Sequence, residues 1–125
     1  NGSLRDNLAM GLGEISDAAI MEKAKATRLE VMIASHPNGL SMQIQEGGLG
    51  LSGGQRSLVG INRLLHAAPS VWLLDEPSVG LDAASIARFG LLLAAHRARG
   101  GMVLAATHVD LPLPGARALR LDPAA

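Results

Sequence analysis

The chain contains no cysteine in its 125 residues, which excludes disulfides, thiolate metal ligands and cysteine nucleophiles. It has no tyrosine, one tryptophan (Trp72) and one phenylalanine (Phe89), too few to build a base-stacking platform for nucleic acid. Neither charge sign is in excess. Eleven Lys and Arg balance eleven Asp and Glu, so a broad cationic surface for nucleic acid or an anionic membrane is excluded, and any anion site has to be local. Long apolar runs are missing too. The longest, such as Leu91 to Ala95, fall far short of the roughly 18 to 20 residues that span a bilayer. The start, Asn1-Gly2-Ser3-Leu4-Arg5-Asp6, shows no basic stretch feeding an apolar one and no initiating Met; it reads as the start of a piece from a longer chain rather than as a secretory signal. What is present is apolar bulk: 48% of the residues, enough for a compact core in a chain too short for two independent domains.

Ser3 followed by Asp6 has the form of an N-cap with an acidic partner and predicts a short helix ended by Gly11 and Gly13. Ser16 caps a second helix through about Arg28, with Ala19, Ile20, Ala24 and Leu29 on one face; Leu29 to Ala34 continues helical until Pro37-Asn38-Gly39. From Leu40 to Gly50, three glycines among alternating polar residues predict a loop or marginal extended piece outside the core. Ser52 opens a stronger helix, with Leu58, Ile61, Leu64 and Leu65 spaced by three and four, ending before Pro69. Val71-Trp72-Leu73-Leu74 running into Asp75-Glu76-Pro77 fits a buried parallel strand whose carboxyl end delivers polar residues to a crevice. Asp82 caps the next helix, Ala83 to about Arg99, with Ile86, Phe89, Leu92 and Leu93 inward and Gly100-Gly101 at its end. A second strand, Met102 to Ala106, leads into Thr107-His108, and a brief edge strand is expected over Ala118 to Leu121. Strand, helix, strand predicts a right-handed parallel crossover preceded by a helical insert: an α/β fold without internal repeats.

Three short constellations carry chemistry. In Leu51-Ser52-Gly53-Gly54-Gln55, Ser52 and Gln55 fit a capping box, yet two glycines in a first helical turn each cost about 1 kcal/mol relative to alanine. That cost makes sense where bare backbone approaches another group closely, and free amides at a helix N-terminus favour a phosphate. The second is the strand running into Asp75 and Glu76. One carboxylate at such a position holds magnesium through water and the other points at an attacking water; the plainer alternative is a solvated strand end. The third is His108, just past the other strand, which reads either as a surface histidine or as a group beside the acids.

In order and spacing these stretches resemble the ATP-binding-cassette (ABC) ATPases. Leu51 to Gln55 is similar to the family's signature motif, Val71 to Glu76 to its Walker B strand and following glutamate, Ser78 to Asp82 to its D-loop, and His108 to its switch histidine. The resemblance implies ATP and Mg2+ as ligands. It gives Asp75 to the metal, Glu76 to the hydrolytic water and His108 to the terminal phosphate. Ser52, Gly53, Gly54 and Gln55 would face a nucleotide held by a second nucleotide-binding domain, and Asp82 would help connect the two sites. It further implies a transmembrane permease partner, a place at the cytoplasmic face of a bacterial inner membrane, no membrane span of its own and no nucleic-acid partner.

The sequence has no glycine-rich loop ending in Gly-Lys-Ser or Gly-Lys-Thr. The expected fold is therefore a partial P-loop NTPase-like ABC ATPase: a helical subdomain with the signature motif over residues 1–68, and the Walker B side of the parallel sheet with D-loop and switch over 69–125. The Walker A half would be missing and the isolated piece inactive. Gln45-Glu46-Gly47-Gly48 looks like type I secretion and peptide exporters. Gly100 to His108 and Leu113-Pro114-Gly115-Ala116-Arg117 look like the haem-exporter ATPase of cytochrome c maturation, so a mosaic is expected. The alternatives are a non-catalytic truncated or chimeric interaction module and a DNA-repair-type ABC ATPase, the latter opposed by the neutral charge and the lack of a heptad array.

Overall fold

In a computed structural model, which describes residues 2–120, the chain starts with a two-residue strand, β1 (Gly2–Ser3), and a short helix, α1 (Leu4–Leu8). Ser3 caps α1 as its sequence implies: its Oγ accepts the Asp6 amide at 3.0 Å while Asp6 Oδ2 accepts the Ser3 amide at 3.2 Å. Helix α2 (Asp17–Thr27) is capped by Ser16, whose Oγ accepts the Ala19 amide at 3.1 Å. Arg28 then takes a left-handed φ of 67°, so α3 (Leu29–Ser35) sets off as a separate helix instead of prolonging α2.

The stretch expected to be loop does more than connect. Gln43–Ile44 form β2, antiparallel to β1 with Gly2 opposite Ile44 and Ser3 opposite Gln43. Met42 and Ile44 are buried, because neighbours in an extended segment point to opposite sides and residues two apart share one. They join Leu4, Leu8, Ile20, Ala24, Leu29, Ile33 and Val59 in a first apolar core.

The second half is built on α4 (Gly53–Ala67), β3 (Val71–Asp75), α5 (Ala83–Ala98) and β4 (Met102–Ala106). β3 and β4 pair in parallel, with Val71 opposite Met102 and Asp75 opposite Ala106, so α5 is the helix of the expected parallel crossover. Ile61, Trp72, Phe89 and Leu93 form a second core. α4 serves both cores, offering Val59 to the first and Ile61 to the second. Trp72 stacks on His96 at a centroid distance of 4.1 Å, and His96 Nε2 lies 3.1 Å from the Met102 carbonyl oxygen, fastening α5 to the start of β4.

Two expectations change. β3 is not buried throughout: Trp72 is, but Leu73 is 71% exposed, and Leu104 beside it 68%. A two-stranded parallel sheet with its helix on one face leaves alternate side chains of the other face in solvent. The edge strand expected over Ala118 to Leu121 does not form at Ala118, Leu119 or Arg120, and Leu121 lies outside the described residues.

Candidate functional site

Ser52 sits at the N-cap of α4, exposed, in a complete capping box: its Oγ accepts the Gln55 amide at 3.1 Å and Gln55 Oε1 accepts the Ser52 amide at 2.9 Å. The hydroxyl proton of Ser52 is not consumed by this arrangement and is available to an outside acceptor.

The two glycines differ. A methyl on Gly54 would overlap the carbonyl oxygen of Gly80, and a methyl on Gly80 would overlap the Gly54 amide. The close approach that Gly54 permits is therefore to another part of the same chain. Gly53 is under no such constraint, since a methyl there would meet the Val79 side chain at 4.0 Å, an ordinary contact. Its carbonyl carbon also lies against Gly80, so the close approach there is one that a methyl on residue 80, not on residue 53, would disturb. Gly53→Ala will therefore leave the melting temperature unchanged or slightly raised. Gly54→Ala will cost about 1–3 kcal/mol in chemical denaturation as an overpacked contact. Equal stability losses in the two variants would contradict this distinction.

The acids come off the end of β3. Asp75 is its last residue and is exposed. Glu76 follows at φ 45°, a left-handed conformation unusual for a glutamate, and its amide donates to the Ala106 carbonyl at 2.8 Å. That turn brings its carboxylate to residues just past β4: Oε1 lies 2.7 Å from His108 Nδ1, and Thr107 Oγ1 donates to Oε2 at 3.4 Å. The His108 hydrogen bond, aided by the charge of that ring and by Thr107, holds the Glu76 carboxyl below the usual glutamate range, so it is ionised at neutral pH. A carboxylate accepts, so Nδ1 carries the proton in this pair and Nε2 is left for another partner.

Asp82 is committed differently. Its Oδ1 accepts the Ser85 amide at 2.7 Å as the N-cap of α5. The Ser85 backbone hydrogen bond, then the Ser85 side chain and the charge of Arg28, hold its carboxyl below the usual aspartate range. A carboxyl depressed in the folded chain adds stability above its unfolded pKa and loses that contribution as pH falls through the folded value. Asp82→Asn keeps a capping oxygen but does not titrate; its urea midpoint will fall less than that of the unsubstituted chain between about pH 6 and about pH 3. Parallel losses in the two proteins would contradict the assignment.

Sequence reasoning missed Ser57, and it named Gly80 only as part of the Ser78 to Asp82 stretch, without its contact to Gly54. Ser57 Oγ donates to the Val79 carbonyl at 2.9 Å, a contact 22 residues apart in sequence, and the only local signal at position 80 is a glycine in a turn.

Residues 3–79 match the family model described as ABC transporter. The chain belongs to the ABC transporter ATPase family. It is 38% identical over 121 residues to the cytochrome c biogenesis ATP-binding export protein CcmA of Gluconobacter oxydans, covering 94% of this chain and 54% of that protein. It is 35% identical over 107 residues to the type I secretion system ATP-binding protein PrsD of Rhizobium meliloti, covering 86% of this chain and 18% of that protein. A bacterial Atm1-family ABC exporter solved with ATP bound superposes with a TM-score of 0.71 at 30% identity, over 85% of this chain and 18% of that one. Both kinds of ABC relative that the motifs resemble are thus present, and each likeness extends beyond the stretch that first carried it. The chain spans about half the length of the Gluconobacter relative and less of the others. In this ABC ATPase no helix among the described residues is long and apolar enough to cross a membrane.

Proposed function

We propose that this chain supplies the water-activating and partner-facing parts of an ABC ATPase that couples ATP hydrolysis to transport across a membrane. The observation that carries the reading is the 2.7 Å contact between Glu76 Oε1 and His108 Nδ1 at the adjacent ends of two parallel strands. Glu76, ionised and oriented by His108, accepts a proton from the attacking water, and His108, in the form that carries a proton on each ring nitrogen, donates its Nε2–H to the terminal phosphate. Ser52, Gly53, Gly54 and Gln55 face a nucleotide held by a second nucleotide-binding domain, where the positive end of the α4 dipole and the Ser52 hydroxyl favour the anion. Asp82 acts through the helix it caps, tying the end of the D-loop to α5.

An exposed carboxylate at a strand end suits Mg2+, which keeps several waters and takes one or two carboxylates plus substrate phosphates rather than a protein cage. Asp75 would hold the ion, which supplies charge neutralisation at the phosphates. The permease partner, the position at the cytoplasmic face of the membrane, and the division into a helical part over 1–68 and a Walker B part over 69–125 belong to the same proposal.

These 125 residues hold no Gly-Lys-Ser or Gly-Lys-Thr phosphate loop, so they turn over no ATP by themselves. The test is a hybrid in which they replace the matching segment of the Gluconobacter relative. The hybrid will hydrolyse ATP in a Mg2+-dependent manner, whereas the 125 residues alone will release no phosphate above background. A folded hybrid that binds ATP without hydrolysing it, or phosphate release by the isolated chain, would overturn the reading.

A further inference from the structure

We propose that Ser57 is a positioning residue: its hydroxyl and the Gly54–Gly80 contact lock the turn over residues 77–81 to the first turn of α4. The corner at Ser52–Gly54 and the acid at Glu76 then move as one body. The inference rests on the function proposed above for those two groups.

The turn leaves β3 at Glu76 and reaches α5 at Asp82, and it has three fastenings. At its start the Glu76 amide is held by the Ala106 carbonyl, and at its end Asp82 caps α5. Between them it is held only locally, by the Val79 amide to Glu76 O at 3.3 Å and the Leu81 amide to Ser78 O at 3.1 Å, apart from one attachment to α4. There Ser57 Oγ donates to Val79 O at 2.9 Å, and Gly80, at φ 76°, lies backbone against backbone on Gly54. Pro77 and Ser78 are buried, so the turn is pressed inward. A left-handed glutamate is held only where its surroundings over-determine it, and the α4 attachment is the one closure that also reaches the phosphate-facing corner.

Serine is an unfavourable choice inside a helix, and Ser57→Ala raises the helical propensity of α4. Any loosening that Ser57→Ala produces in the turn therefore does not come from a weaker helix. Hydrogen exchange on the 125-residue chain reads this directly. In Ser57→Ala the amides of Glu76, Val79 and Leu81 will exchange about 5- to 10-fold faster, the loss of one ordinary hydrogen bond, while the Arg56 amide, bonded to Ser52 O, keeps its rate. Ser57→Thr, which retains the hydroxyl, will restore the slow rates. Gly54→Ala will speed the same amides, and the double variant will show less than the product of the two effects. Unchanged exchange over 76–81 in Ser57→Ala, an equal increase across the whole chain, or failure of Ser57→Thr to restore it would overturn the proposal. In the hybrid ATPase, Ser57→Ala will lower kcat and leave KM in place. A hybrid without turnover would count against the proposed function, while the exchange result decides the lock.

Discussion

Glu76→Gln in the hybrid ATPase will lower ATP turnover by about 100- to 10,000-fold, the usual contribution of a positioned general base, and leave ATP binding intact. The amide matches the carboxylate in shape and still offers an oxygen to His108 Nδ1, so the strand ends keep their arrangement. What it loses is the negative charge and the capacity to take a proton. The acid is charged at neutral pH, as a glutamate ordinarily is, and the histidine contact lowers its pKa further while the carboxylate is turned toward the residues past β4. Turnover and nucleotide binding should be measured on the same preparation. Hydrolysis close to the unsubstituted rate would remove Glu76 from the mechanism.

Phe89→Ala will destabilise the chain by about 3–5 kcal/mol, a large share of the roughly 5–15 kcal/mol that holds an ordinary domain together. Phe89 is 1% exposed and lies in the second core with Ile61, Trp72 and Leu93, which is small enough that no neighbour replaces its volume. The same ring backs the sheet whose ends place Glu76 and His108, so the loss reaches the site as well as the melting curve. Urea unfolding measures it. A change below about 1 kcal/mol would mean that adjacent side chains close over the space.

The parts legible in the sequence are those governed by local chemistry. Ser3, Ser16, Ser52 and Asp82 each cap the helix that follows, because a side-chain oxygen over the first free amides depends on three or four neighbouring residues. The β3–α5–β4 crossover was readable from an apolar run, a capped helix and a second run. What escaped is long-range or too short for periodicity. Two-residue strands such as β1 and β2 carry no pattern, so the burial of Met42 and Ile44 shows only once Gly2 and Ser3 lie beside them. The break at Arg28 is a left-handed arginine, a conformation that its residue type does not advertise. Gly54 read as backbone bared to a ligand, whereas its partner within the chain is Gly80, 26 positions on, and no local rule links them. The resemblance placed Glu76 and His108 in one mechanism, but their contact, 32 residues apart, had to come from the pairing of β3 with β4.

The lone tryptophan also makes the molecule an unequal reporter of its own unfolding. Trp72 is 1% exposed and lies flat on His96 in the strand-bearing part, so its fluorescence registers that part alone, whereas circular dichroism near 222 nm sums helices on both sides of α4. The two optical traces will superimpose only to the extent that α4, a wall shared by both interiors, makes them dissolve together.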